Sequence, residues 1–311
     1  MRLERPFVRL PILFDATRLA NEVAALPQSA WVPHPDRVPG NAAVRLISAD
    51  GGENDVLGGT MRPTRWLAAM PYARQVLASC GVVWGRARLM RLAAGARVPE
   101  HADVGHYWCA RVRVHLPVVT DPAVLVHCGG EALHMAAGAA WVLDTWRRHR
   151  VENASAVDRI HLVADTEGSA AFGSMARGGA PPHGPWQSVA WTPTRDAAPL
   201  TEADRSVPIM PAADVQALVD TLRGELVASP ATGDGVSRVR RLDQVLARFA
   251  LEWRHLCARH GTDGSGRSDF IRCGQALHVL VQQCAAGVAM RTNGVSALRV
   301  VEARLLPQLV A

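Results

Sequence analysis

The residues with the clearest chemical potential are His101-Ala-Asp103, then His149, then Arg159 ten positions further on. On an extended strand, residues i and i+2 point to the same face, so His101 and Asp103 can offer an imidazole and a carboxylate to one ion. His149, on a facing strand, completes two histidines and one carboxylate with the remaining coordination positions open. That donor set suits non-haem iron(II) that activates oxygen. If His149 lies on a strand, Arg159 falls on the next one, where its guanidinium can grip a carboxylate with two hydrogen bonds. An organic acid that chelates the iron at one end and is held by arginine at the other describes 2-oxoglutarate.

With twelve histidines in the chain, an isolated H-x-D also arises by accident. The segment Arg111-Val-Arg113-Val-His115 alternates basic residues with valines, which puts three basic groups on one face. That face is either a solvated exterior or the wall of a cavity whose ligand is negatively charged. The pattern alone leaves both open.

The stretch from about Gly85 to Ser169 resembles the aspartyl/asparaginyl β-hydroxylase family of 2-oxoglutarate-dependent oxygenases, which includes bacterial hydroxylases of free amino acids. The resemblance is carried by His101-x-Asp103, Arg113-x-His115-Leu, Gly138-x-x-Trp-x-x-Asp144, His149 and Arg159-x-His-Leu-Val-x-Asp165. It implies a double-stranded β-helix, with His101, Asp103 and His149 as catalytic iron ligands. It also implies that Arg159 binds the distal carboxylate of 2-oxoglutarate, while Arg113 and His115 hold the oxo-acid end. Two departures stand out. The animal peptide-hydroxylating members lack the carboxylate ligand, whereas this chain has Asp103. The serine that those members place beside the distal carboxylate falls here at about Met90.

The elements needed to position these residues are legible. Six or seven short strands are expected between 98 and 165, punctuated at Thr120-Asp-Pro, Gly129-Gly130 and Gly138. Such spacing indicates an antiparallel jelly roll of the cupin type. Upstream, 6–14 reads as an edge strand because its prolines withhold ladder hydrogen bonds. Asp15 caps a helix to about Leu26, and a second helix spans 63–79. Val82–Leu92 is a strand on which Arg88 is expected to be solvated. Histidines 106, 127, 134 and 161 are expected in structural or hydrogen-bonding roles. The expected domains are an oxygenase domain over 1–168, a linker or flap over 169–200, and an α-helical region over 201–311 built from three or four amphipathic helices. The fold class is therefore mainly β with helices, a double-stranded β-helix plus a helical C-terminal region.

At 311 residues and 49% hydrophobic content, the chain can bury a sizeable core. Its net charge of +6 is scattered, without a dense basic run, which argues against nucleic-acid binding. The six cysteines show no C-x-x-C pair, which fits reduced thiols in the cytoplasm. Neither a signal peptide nor a membrane span is apparent. The expected activity is an iron(II)/2-oxoglutarate-dependent dioxygenase that hydroxylates an amino acid or amino-acid residue with release of succinate and CO2. Its substrate would be a small molecule or peptide carrying an amino-acid moiety, with Arg111 a candidate to hold a substrate carboxylate. A homo-oligomer formed through the C-terminal helices stays open. The competing expectations are a cupin-like metalloenzyme that does not use 2-oxoglutarate, and a non-catalytic interaction protein with a vestigial barrel.

Overall fold

The structure is a computed structural model that describes residues 3–35, 37–179, 186–194, 196–205, 207–229 and 234–309. Part of the expected linker, Ala180 to Pro185, lies outside the described residues. Two compact units form: Met1–His101 with Ala110–Asp204, and Ala102–Cys109 with Arg205–Ala311.

The first unit opens with β1 (Phe7–Phe14), α1 (Ala16–Ala24), β2 (Val32–Pro33), β3 (Asn41–Ala49), β4 (Met61–Pro63), α2 (Arg65–Ala68) and α3 (Pro71–Ser79). Eight strands follow: β5 (Val83–Leu92), β6 (Arg97–His101), β7 (Val112–Val119), β8 (Val124–Cys128), β9 (Glu131–Leu133), β10 (Ala139–Leu143), β11 (His149–Asn153) and β12 (Arg159–Gly168). α4 (Ala170–Gly178), β13 (Gln187–Val189) and β14 (Leu200–Thr201) complete it. The eight strands divide between two sheets, switching at each step except the β8–β9 hairpin. The larger holds the run β10-β7-β12-β5, extended by β1 and β13 on one side and by β3 and β2 on the other. The smaller runs β6-β11-β8-β9. This interleaving is the jelly-roll, double-stranded β-helix order. The sheets hydrogen-bond separately, so the barrel is not closed; they pack face to face through Phe7, Leu92 and Leu143 against Val124, Val126 and Val151.

Two sequence expectations need correction. β1 is not an edge strand, because it lies between β10 and β13. Pro11 falls where the register with β10 shifts, between Leu10 and Leu13, so its missing N–H interrupts no regular ladder. The single helix expected over 63–79 is two, because Pro71 opens α3 and cannot continue α2.

Period-two alternation gives the larger sheet two unlike faces. Val112, Val114, Leu116, Val118, Leu162, Ala164, Leu89 and Val44 lie in the main core, together with Leu19, Val23, Tyr72, Val76, Leu77 and Phe172 from α1, α3 and α4. Each fully buried aliphatic side chain there contributes about 1.5–3 kcal/mol. The outer face therefore carries the cohesion, which leaves the inner face, toward the smaller sheet, able to hold buried polar groups. On that inner face Trp141, His115, Val163, Arg88 and Arg45 form one transverse row. A neighbouring row holds Leu143, Arg113 and Asp165. A third holds Pro117, His161, Met90 and Ala43.

The second unit contains α5 (Ala212–Arg223), β15 (Leu226–Ala228), α6 (Gly235–His260), α7 (Arg267–Cys284), β16 (Val288–Met290) and α8 (Ala297–Arg304). Trp253 centres its core between Phe249 and Phe270, with ring centroids 5.6 and 4.9 Å away. Its indole Nε1 donates to the Met210 carbonyl at 2.9 Å. Gly224 caps α5, and 226–228 leaves the helix to pair with β16. His106 donates from Nδ1 to the Arg304 carbonyl at 3.0 Å, which fits its expected structural role. No helix among the described residues is long and apolar enough to cross a membrane.

Candidate active site

His101 ends β6, His149 begins β11, and the two are register partners. Asp103 follows two residues after His101. Each of the three offers a ligand atom, and those atoms all lie within 4.8 Å of one another. The ring orientations fit a metal. His101 donates from Nδ1 to the Pro99 carbonyl at 2.8 Å, and His149 does the same to the Arg147 carbonyl at 2.9 Å. A carbonyl only accepts, so the proton is on Nδ1 and the lone pair is on Nε2 in both rings. Locking the distal ring nitrogen to a backbone acceptor is how metal-binding histidines are oriented. Two nitrogens and a carboxylate oxygen on one side suit iron(II) better than magnesium or calcium, which favour all-oxygen sites.

A buried turn sets His149. The Asp144 carboxylate accepts from the Trp146 N–H at 3.2 Å and from Arg147 Nε at 3.1 Å, which fixes the Arg147 carbonyl that holds the imidazole. Burial pushes the Asp144 carboxyl above its ordinary value, against the pull of Arg147.

The polar face of the larger sheet is buried rather than a solvated exterior. His115 is 5% exposed, and neither of its ring nitrogens has a hydrogen-bond partner among the described residues. Burial, followed by the charges of Arg159, Arg113 and His149, holds its pKa well below the ordinary histidine value, so it stays neutral. Its ring stands 5.8 Å from that of His161, to which Arg159 is hydrogen-bonded. Arg159 is 4% exposed, and burial alone pushes its guanidinium down to about 9. No carboxylate among the described residues is paired with it. Arg113 donates from Nε to Asp165 at 3.2 Å.

Three placements were missed. Arg88, expected in solvent, is 8% exposed, and burial followed by the charges of Arg86 and Arg113 pushes it down to about 10. Arg45 and Arg88 share Asp55, while Arg86 and Arg113 share Asp165. Burial would raise the Asp55 carboxyl, but the Arg45 hydrogen bond and the charges of Arg45, Arg88 and Arg86 outweigh it and hold it low. Arg111, the candidate for a substrate carboxylate, is instead held by both oxygens of Glu202, at 3.0 and 2.7 Å, and by Glu167 at 3.2 Å. The even-numbered periodicity of Arg86 and Arg88 on β5, opposite Ala87 and Leu89 in the core, was the available signal for their burial.

Residues 59–168 match the aspartyl/asparaginyl β-hydroxylase family. That stretch runs from β4 to the end of β12 and contains the whole triad with Arg159. No curated protein matches the chain. Among solved structures, a 2OG-Fe(II) oxygenase family oxidoreductase from Burkholderia pseudomallei is similar at 18% identity, over 53% of this chain and 85% of that one, with a TM-score of 0.38. The Schizosaccharomyces pombe Cnp3 cupin domain is similar at 11% identity, over 32% and 66%, with a TM-score of 0.23. Salicylate 1,2-dioxygenase from Pseudoaminobacter salicylatoxidans is similar at 17% identity, over 48% and 30%, with a TM-score of 0.27. The fold assignment rests on strand order and register, not on these overlaps.

Proposed function

We propose that this chain is an iron(II)- and 2-oxoglutarate-dependent hydroxylase acting on an amino acid or an amino-acid residue. What carries the reading is one juxtaposition. His101, Asp103 and His149 lie within one ion's reach, and a buried Arg159, with no carboxylate paired to it among the described residues, is hydrogen-bonded to His161, whose ring stands 5.8 Å from that of His115. The hydroxylase family match over 59–168 supports it.

In this reading Nε2 of His101, Nε2 of His149 and the Asp103 carboxylate hold the iron. Bound iron(II) supplies oxygen activation, with 2-oxoglutarate oxidised to succinate and CO2 as one oxygen atom enters a substrate C–H bond. Arg159 anchors the distal carboxylate. Arg113 and neutral His115 hold the oxo-acid end, and His115 donates a hydrogen bond without competing for a proton. Arg88, buried on the same inner face, is then the candidate for a substrate carboxylate, the role that Arg111, held by Glu202 and Glu167, does not take. The main core behind the larger sheet keeps water from this charged face, which strengthens each of these contacts. The six free cysteines favour a reducing compartment, the cytoplasm.

The test is to purify the protein without oxygen and measure bound iron. Succinate released from 2-oxoglutarate is then followed against amino acids, peptides and carrier-bound acyl groups, with mass spectrometry for a gain of one oxygen. Iron binding without consumption of 2-oxoglutarate indicates an iron enzyme of another kind. Protein that binds no iron overturns the proposal.

A further inference from the structure

Arg159 donates from Nη2 to Nδ1 of His161 at 2.6 Å. A guanidinium only donates, so Nδ1 is the acceptor and the ring proton is on Nε2. That Nε2–H is buried and has no hydrogen-bond partner among the described residues, in a ring that is 0% exposed. Nε of Arg159 is likewise buried without a partner among them. Buried donors without acceptors are rare in native proteins. Two of them, on side chains hydrogen-bonded to each other, indicate an acceptor supplied from outside the chain. Its charge is negative, because Arg159 carries a buried positive charge and no carboxylate is paired with it among the described residues.

The register shows why a histidine is needed. His161 pairs with Met90 across β12 and β5, and Met90 is about where related chains carry a serine beside this arginine. A methionine has no N–H or O–H to offer. Its neighbour across the ladder does, from the same inner face as Arg159.

We propose that His161 is a binding and positioning residue for the co-substrate. Its Nε2–H donates to the distal carboxylate of the 2-oxo acid, while Nδ1 holds Arg159 in the orientation that grips the same group. The role rests on the 2-oxoglutarate reading above. His161 thereby replaces the hydroxyl donor that Met90 lacks, and the pair selects a dicarboxylic oxo acid over a monocarboxylic one of equal length.

The experiment titrates 2-oxoglutarate into zinc-loaded protein by calorimetry, so the readout does not depend on turnover. His161→Phe keeps the bulk of the ring and removes the donor. It weakens 2-oxoglutarate binding by about tenfold or more, the effect of losing a hydrogen bond to a charged group. His161→Gln restores a donor and recovers most of the affinity. Binding of 2-oxovalerate, the same chain without the distal carboxylate, is unchanged by either substitution. At saturating 2-oxoglutarate the iron enzyme's kcat stays near wild type while its KM rises. In histidine-labelled wild-type protein, the resonance lost in His161→Gln moves downfield with 2-oxoglutarate and not with 2-oxovalerate, a readout independent of how the Phe variant folds. A folded His161→Phe protein that binds 2-oxoglutarate within twofold of wild type overturns the role, as does a stationary resonance. Wild-type protein that binds no 2-oxoglutarate overturns the underlying reading and this role with it.

Discussion

His101 and His149 stand opposite each other on antiparallel strands, ring centroids 4.2 Å apart, and each turns Nε2 outward by donating Nδ1–H to a carbonyl two residues earlier. With the Asp103 carboxylate, their ligand atoms lie within 4.8 Å of one another, a spacing that one metal ion can bridge. Replacing either ring by alanine therefore weakens metal binding by on the order of 100-fold or more, above the effect of an outer-shell partner. Metal titration of His101→Ala and His149→Ala checks this. Wild-type affinity in either variant contradicts the triad.

The turn before His149 acts through that histidine. Asp144→Ala frees the Arg147 side chain and leaves the Trp146 N–H without its carboxylate acceptor. The expected cost is about 1–3 kcal/mol of unfolding free energy, with metal affinity falling about tenfold. Urea unfolding of metal-free protein and metal titration separate the two effects. Lost stability with unchanged metal affinity shows that the turn does not orient His149.

Arg159 is a buried charge kept for binding rather than for stability. Arg159→Met removes it at similar volume, so metal-free protein becomes more stable by about 1 kcal/mol or more. Binding of 2-oxoglutarate falls by at least about thirtyfold, the loss of about 2 kcal/mol from a buried charge contact. Calorimetry and thermal unfolding read the opposing signs. A variant that is less stable without ligand would show that Arg159 is compensated after all.

Acidification works against the two buried histidines of the inner face. Burial, then neighbouring charges, keeps His115 and His161 well below the ordinary value of 6.5. The unfolded chain takes up protons below about pH 6.5 that the folded chain does not, so unfolding becomes easier as pH falls through that value. Each histidine contributes a slope of roughly 1.4 kcal/mol per pH unit until its folded pKa is reached. Urea unfolding at pH 7.5 and 5.5, compared with His115→Gln, measures it. The variant is expected to lose less stability over that interval.

Much of the jelly roll was readable because its determinants are local. Valines alternating with basic residues in 112–119, and turns at Gly129-Gly130 and Gly138, specify strands and their ends with no knowledge of partners. Where the reading slipped, a nonlocal contact or a proline decided: β13 covers the far edge of β1, and Pro71 splits a helix in two.

The candidate site divides along the same line. His101, Asp103, His149 and Arg159 could be picked from the linear order, because strand period and donor chemistry constrain which side chains can share an ion. Which arginines are paired, buried or available could not be read that way. Arg111 meets Glu202 across 91 positions, and Arg113 meets Asp165 across 52. His161 acquires its meaning only because Arg159 bonds to one side of its ring and the other side is sealed from water. Solvation and charge balance are properties of a packed interior, and the chain acquires that interior only once the two sheets close on each other.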